Sequence, residues 1–114
     1  MSAAPPRLQV PLILETPVRT PDGMGGFVLD WQPVGKLWAE MRAGAGAEKF
    51  AEVGASSVVT WRITVRGARE GDPRRPRPDQ RLRSGARLFR ILAVAERDAQ
   101  GRHLVCTAQE EKLG

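Results

Sequence analysis

The alternation of apolar and polar positions predicts β-strands along most of the chain. Residues 57–67 alternate most regularly, with Val59, Trp61, Ile63 and Val65 on one face and polar side chains between them. A β-branched, period-two run of this length is typical of a strand that buries one face. Trp61 is therefore predicted to point into the core.

Strand patterns recur before and after this segment, at residues 8–14, 27–31, 34–42, 88–95 and 103–108. Pro11 cannot donate to a strand ladder, which favours an edge or bulged position for the first of them. In the second, Phe27, Leu29 and Trp31 share one face, so that strand is predicted to be half-buried. Residues 88–95 are apolar on both faces, which predicts a central strand.

The remaining segments are rich in turn, helix or loop formers. Residues 20–26 contain proline, aspartate and three glycines, the chemistry of a β-turn. Residues 47–53 are rich in helix formers and precede Gly54, which predicts a two-turn helix. Residues 68–84 hold three prolines and predict a long exposed loop.

Together these elements predict a mainly β fold. We expect a small antiparallel β-barrel or sandwich of about six strands, with one short helix and a long Arg/Pro-rich loop. The predicted organisation is a disordered arm at 1–7, a single domain at 8–109 and a polar tail at 110–114. A length of 114 residues suits one domain.

Composition places the chain among ordinary globular proteins, with 41% hydrophobic and 27% charged residues. The N-terminus lacks the pattern of a signal peptide, and no apolar run approaches the ~20 residues of a membrane helix. We therefore expect no membrane partner and synthesis in the cytoplasm.

Positive charge is concentrated in one segment. Residues 66–90 hold nine arginines and three acidic residues, so they carry +6 in a chain whose net charge is +5. Such a field favours a polyanionic partner. The candidate contacts with DNA or with an acidic neighbouring surface are Arg69, Arg74, Arg75, Arg77, Arg81 and Arg83. The alternative is a solvated loop in an arginine-rich chain; base-specific readout is not expected, because no recognition helix accompanies the charge.

No residue pattern predicts catalysis, a cofactor or a metal site. Cys106 lies in an apolar run and is expected to be a buried, inert thiol. His103 follows a turn without a serine or cysteine partner at a readable spacing, and Glu110 and Glu111 lie at a polar terminus. We therefore interpret the chain as a non-enzyme.

Three blocks of sequence carry a resemblance to a known family over roughly residues 7–111. They are residues 20–27 with Trp31 and residues 37–39, then residues 59–66, then residues 85–91 with Val94. In this order and spacing they resemble the head–tail joining (head completion, "stopper") proteins of long-tailed phages, prophages and gene transfer agents.

The resemblance implies a β-barrel subunit that assembles into a homo-oligomeric ring, six- or twelve-fold, at the head–tail junction of the particle. A portal or adaptor ring would lie above it and a tail terminator or tail tube below it. The ring would contact packaged DNA non-specifically, retain it and present a docking surface for the tail.

The loop at 68–84 and the glycine-rich turn are the candidates for reaching the channel or an adjacent component. The turn residues are Asp22, Gly23, Gly25 and Gly26, and Trp38 is a further interface candidate because it lies opposite the apolar face of its strand. The alternative function is a stand-alone OB-like or SH3-like barrel that binds nucleic acid through the arginine-rich loop.

Overall fold

Six antiparallel strands make up the fold in a computed structural model that describes residues 4–44 and 56–113. The strands are β1 (Val10–Pro21), β2 (Phe27–Ala43), β3 (Ser56–Arg66), β4 (Arg81–Ser84), β5 (Arg87–Glu96) and β6 (His103–Leu113). The helix predicted at 47–53 lies outside the described residues.

The strands form one sheet that closes on itself as a barrel in the order β1-β2-β3-β6-β5-β4. The predicted mainly β, antiparallel class is thus confirmed, and of the two architectures expected, the structure is the barrel. Inward-facing side chains alternate along each strand, as the period-two patterns predicted. Among the described residues, the hydrophobic core consists of Leu12, Leu14, Ala39, Ile63, Val65, Leu82, Phe89, Ile91, Leu104, Cys106 and Ala108.

Strand β2 runs without a break through two segments that the sequence pattern separated at Pro33. Leu14 pairs with Gly35 and Glu15 with Pro33, so Val34 is left without a partner as a bulge. The bulge absorbs the interruption that Pro33 would otherwise cause. Phe27 and Leu29 share a face as predicted, but both are exposed, so the half-buried expectation for this part of β2 is wrong.

Within the described part of the chain, strand β1 has a partner on both sides only at residues 13–15, so Pro11 does lie at a one-sided position although the strand as a whole is not an edge. It pairs with β2 over its whole length and with β4 at residues 13–15. Pro11 lies outside the stretch that pairs with β4.

The predicted boundaries of the loop at 68–84 and of the polar tail also need correction. Arg81–Ser84 is β4, and Leu82 within it is fully buried. Strand β6 continues to Leu113, and Glu110 is buried within it. Before β1, residues 4–9 have no regular secondary structure, yet the Arg97 guanidinium donates to the Ala4 carbonyl and the Arg7 amide donates to Glu40.

Gly67 follows the last residue of β3 and packs against the turn that precedes β6. Its amide donates to the Arg102 carbonyl at 2.7 Å. A Cβ atom at Gly67 would collide with the Gly101 carbonyl oxygen and crowd the Arg102 carbonyl. Only glycine allows this backbone approach.

Gly67→Ala is therefore expected to lower the free energy of unfolding by about 1–3 kcal/mol, because backbone atoms must shift to admit the methyl group. Chemical denaturation measures the change. Gly35→Ala is the matched control, because a Cβ there meets nothing within 4 Å. Equal stability of the two variants would contradict this account.

Candidate functional site: arginine clusters and a projecting hairpin

The Glu15 carboxylate joins β1 to β4 on the outside of the barrel. Arg81 Nε donates to Oε1 at 2.6 Å and Arg83 Nε donates to Oε2 at 3.0 Å. Glu15 is only 5% exposed, and the Arg81 guanidinium also lies 4.2 Å from the centre of the Trp31 ring. We call Glu15, Arg81, Arg83 and Trp31 the closure cluster, because it lies where the shortest strand completes the barrel.

Electrostatics favour the charged form of Glu15. Burial opposes ionisation, but the hydrogen bonds and charges of Arg81 and Arg83 outweigh it and lower the pKa of the carboxyl below its ordinary value of 4.5. The two arginines therefore have a structural role in closing the sheet. The prediction that they belong to an exposed loop is wrong.

A second carboxylate, Glu110, pairs inside the barrel wall. Arg87 donates to it twice, through Nε at 2.7 Å and Nη2 at 2.9 Å, and Trp61 Nε1 donates at 3.1 Å. Trp61 meets Phe89 edge to face, with ring centres 6.1 Å apart. The inward position predicted for Trp61 is thus observed, and Glu110 holds its indole in place.

The arginine-rich loop, now bounded at residues 68–80, is partly folded onto the barrel. Pro76 is fully buried and Gln80 almost so, and the Gln80 side chain accepts a hydrogen bond from the Arg77 amide at 2.7 Å. Arg75 Nη1 donates to the Ala68 carbonyl at 2.8 Å, which closes the loop on itself. The loop was expected to be long and exposed; instead it is anchored to the barrel, and only part of its residues are exposed to solvent.

Only some of the predicted contact arginines on this loop are open to a partner. Arg74 pairs with Asp72 at 2.9 Å, and its hydrogen bonds to that carboxylate lower the pKa of Asp72 to about 2. Arg69 and Arg77 are exposed, and neither side chain pairs with an acid within the described part of the chain. The structure thus brings Arg69, Arg74, Arg75 and Arg77 onto one loop and leaves two of them free.

The glycine-rich turn is a self-contained unit at the tip of the β1–β2 hairpin. Asp22 Oδ1 accepts hydrogen bonds from the Met24 amide at 2.7 Å and the Gly26 amide at 3.0 Å. These bonds, the one from Met24 first, lower the pKa of Asp22. Gly23 and Gly25 adopt φ values of 82° and 86°, which side chains disfavour.

Trp38, the remaining interface candidate, lies on the outside of β2 away from this turn. It is half exposed, and Lys36 Nζ lies 5.5 Å from its ring centre. The structure therefore does not bring Trp38 together with the turn residues Asp22, Gly23, Gly25 and Gly26.

No group of three or more potential metal-ligating side chains occurs among the described residues. Burial raises the pKa of the Cys106 thiol to about 12, with Arg75 partly opposing the shift. In the same residues no helix has the length and apolar character needed to cross a membrane.

Sequence reasoning missed Glu15, Glu110 and the exposure of the hairpin. Glu15 is bound by arginines 66 and 68 residues away in the chain, and Glu110, which was predicted to lie in a polar tail, by an arginine 23 residues away. The one available signal was the excess of arginine between residues 66 and 90, most of which the sequence assigned to a loop.

Comparison with known proteins defines the class of this barrel. Residues 3–111 match the family model described as phage head completion protein. A chain from the virion of a native gene transfer agent particle is 53% identical, with 96% of this chain and 100% of that chain covered and a TM-score of 0.84. A search of curated proteins gives no significant match.

A second solved structure shares the fold at lower identity. Protein SF1141 from Shigella flexneri 2a is 21% identical, with 91% of this chain and 93% of that chain covered and a TM-score of 0.64. The barrel is thus a structural protein of the virion, with a role at the head–tail junction. The chain belongs to the phage head completion protein family.

Glu15→Gln is expected to lower the free energy of unfolding at pH 7 by about 1–2 kcal/mol, because it removes the negative charge that pairs with Arg81 and Arg83. The loss stays modest because water partly screens both arginines. The folded-state pKa of Glu15 is depressed, so its stabilisation is complete above pH 4.5 and is lost as the pH falls through the folded value. Denaturation curves at a series of pH values measure both effects.

Below pH 4.5 the wild-type protein should lose stability more steeply than Glu15→Gln. Glu70→Gln removes an exposed carboxylate from the loop and serves as the control, with little change expected. Parallel pH profiles for the wild type and Glu15→Gln would show that the closure cluster does not stabilise the barrel.

Proposed function

We propose that this protein is a head–tail connector subunit of the stopper type. Copies form a six- or twelve-fold ring beneath the portal or its adaptor, retain the packaged DNA and provide the docking surface for a tail terminator or tail tube. The observation that carries this proposal is the match of residues 3–111 to the head completion family. The gene transfer agent virion chain, similar over nearly its full length, supports it.

The closed barrel suits a structural role in such a ring. Its core and its two buried carboxylates make a rigid body, from which the hairpin projects and on which the anchored loop exposes Arg69 and Arg77. A rigid body keeps the projecting parts in fixed positions in every copy. The function is then physical: retention of DNA and docking, with no bond made or broken.

Contact with DNA is proposed for the loop at 68–80. The loop holds four arginines and three acidic residues, so its net charge is small. The available positive charge lies at Arg69 and Arg77, with Arg74 shared with Asp72. Repeated around a ring, these side chains would form a band of positive charge that contacts phosphates without reading bases.

Deletion of the gene in a producing strain tests the connector role. We expect heads that package DNA, lack tails and lose their DNA to nuclease, because neither the stopper nor the docking surface is present. Electron microscopy and a nuclease-protection assay measure the two defects. Normal tailed particles with protected DNA would contradict the proposal and favour the stand-alone nucleic-acid-binding barrel.

The DNA contact has a separate test. Arg69→Gln combined with Arg77→Gln should increase the nuclease-sensitive fraction of DNA in complete particles, most strongly at low salt, because high salt weakens the lost phosphate contacts in the wild type as well. Arg42→Gln combined with Arg62→Gln makes the same charge change on the outer barrel wall and is the control. Equal DNA retention in the two variants would rule out the loop as the contact.

A further inference from the structure

The β1–β2 hairpin extends beyond the barrel as a two-stranded ribbon, defined here as residues 16–32. Strand β4 pairs with β1 only at residues 13–15, and β3 pairs with β2 only at residues 39–43. Within residues 4–44 and 56–113, the ribbon strands therefore pair only with each other, over a length of roughly 20 Å at 3.4 Å per residue.

Both faces of the ribbon expose apolar side chains. Phe27, Val28 and Leu29 are 66%, 50% and 51% exposed, and Val18 is 36% exposed. Isolated two-stranded ribbons are marginally stable in water, and clustered exposed apolar side chains mark interaction sites. The ribbon therefore has the properties of a docking arm.

One face of the ribbon combines apolar side chains with a single unpaired acid. The cross-strand pairs on this face are Val18 with Asp30 and Thr20 with Val28. Asp30 is exposed and makes no ion pair or hydrogen bond with any other described side chain. We call this the acidic face of the ribbon.

The complementary pattern occurs on the outer surface of β5 in the same chain. Leu88 and Leu92 are partly exposed there, while Phe89 and Ile91 point into the core. Between the two leucines lies Arg90, whose one described partner is Asp79 at 3.7 Å. Both side chains of the Arg90–Asp79 pair are exposed to water, so exchanging Asp79 for another acidic partner costs little free energy.

We propose that the acidic face of the ribbon docks on the outer face of β5 in a second copy of this chain. Asp30 would pair with Arg90 of the neighbouring copy, and Val18 and Val28 would pack against its Leu88 and Leu92. This inference rests on the proposed connector function. We favour a second copy as the partner because one chain carries both surfaces: an exposed acid among apolar side chains on the ribbon, and an exposed arginine between two leucines on β5.

The two patches lie at different places on one subunit, so the contact is heterologous. Each copy would give its ribbon to one neighbour and receive a ribbon from the other, which closes into a ring when the rotation between copies allows it. The closure cluster lies at the base of the ribbon, where Arg81 contacts Trp31. It would fix the angle at which the ribbon leaves the barrel.

Cysteine cross-linking in particles tests the contact. The single native cysteine, Cys106, is buried and its pKa is raised to about 12, so it does not compete. In particles carrying Asp30→Cys and Arg90→Cys in every chain, mild oxidation should give a ladder of covalent oligomers on a non-reducing gel. Asp30→Cys with Arg62→Cys, another exposed arginine on a different strand, should stay monomeric.

Each other result has a defined meaning. A product that stops at the dimer, a ladder in the control pair, or a cross-link to a different virion protein would overturn the proposed contact. Monomer alone, in particles that contain the chain, would overturn it while leaving the connector function intact. Absence of the wild-type chain from particles would overturn the connector function itself.

Charge exchange covers the case in which the cysteine variant is not incorporated. Asp30→Arg and Arg90→Asp should each reduce incorporation into particles by at least about tenfold, the equivalent of one well-formed charged contact. The double exchange should restore it, as quantified by immunoblot of purified particles. Failure of the double exchange to restore incorporation, with each chain folded by circular dichroism, would overturn the contact.

Discussion

Closure of the barrel depends on the attachment of a four-residue strand, β4, to β1. Leu82 inserts into the core from one face of β4, while Arg81 and Arg83 bind Glu15 from the other. A short strand offers few backbone hydrogen bonds, so side chains on both faces fix its place. Without this strand β1 and β5 would not be joined, and the sheet would have two open edges.

This arrangement separates a rigid body from projecting parts. The buried core and the bonds of Glu110 to Arg87 and Trp61 stabilise the barrel wall. The loop at 68–80 is anchored to this wall by Pro76 and Gln80. The ribbon lies clear of the core, with apolar side chains exposed on both faces. An assembly of subunits would explain this exposure.

Arginines that are clustered in the sequence have separate partners in the folded protein. Nine arginines between residues 66 and 90 form a single cluster in sequence. In the structure Arg81, Arg83 and Arg87 neutralise buried carboxylates, Arg75 closes a loop, and Arg74 pairs with Asp72. The positive surface available to a polyanion is accordingly much smaller than the composition suggests.

The sequence by itself determined the mainly β, antiparallel class, the inward face of β3 and the family, because period-two burial and ordered motifs are local properties. The tertiary structure alone decided that β4 is a strand, that Glu15 and Glu110 are paired with arginine, and that Phe27 and Leu29 are exposed. Those features depend on which strands become neighbours when the sheet closes. Alternation along one strand indicates that one of its faces is apolar. Whether that face is buried depends on where the other strands lie.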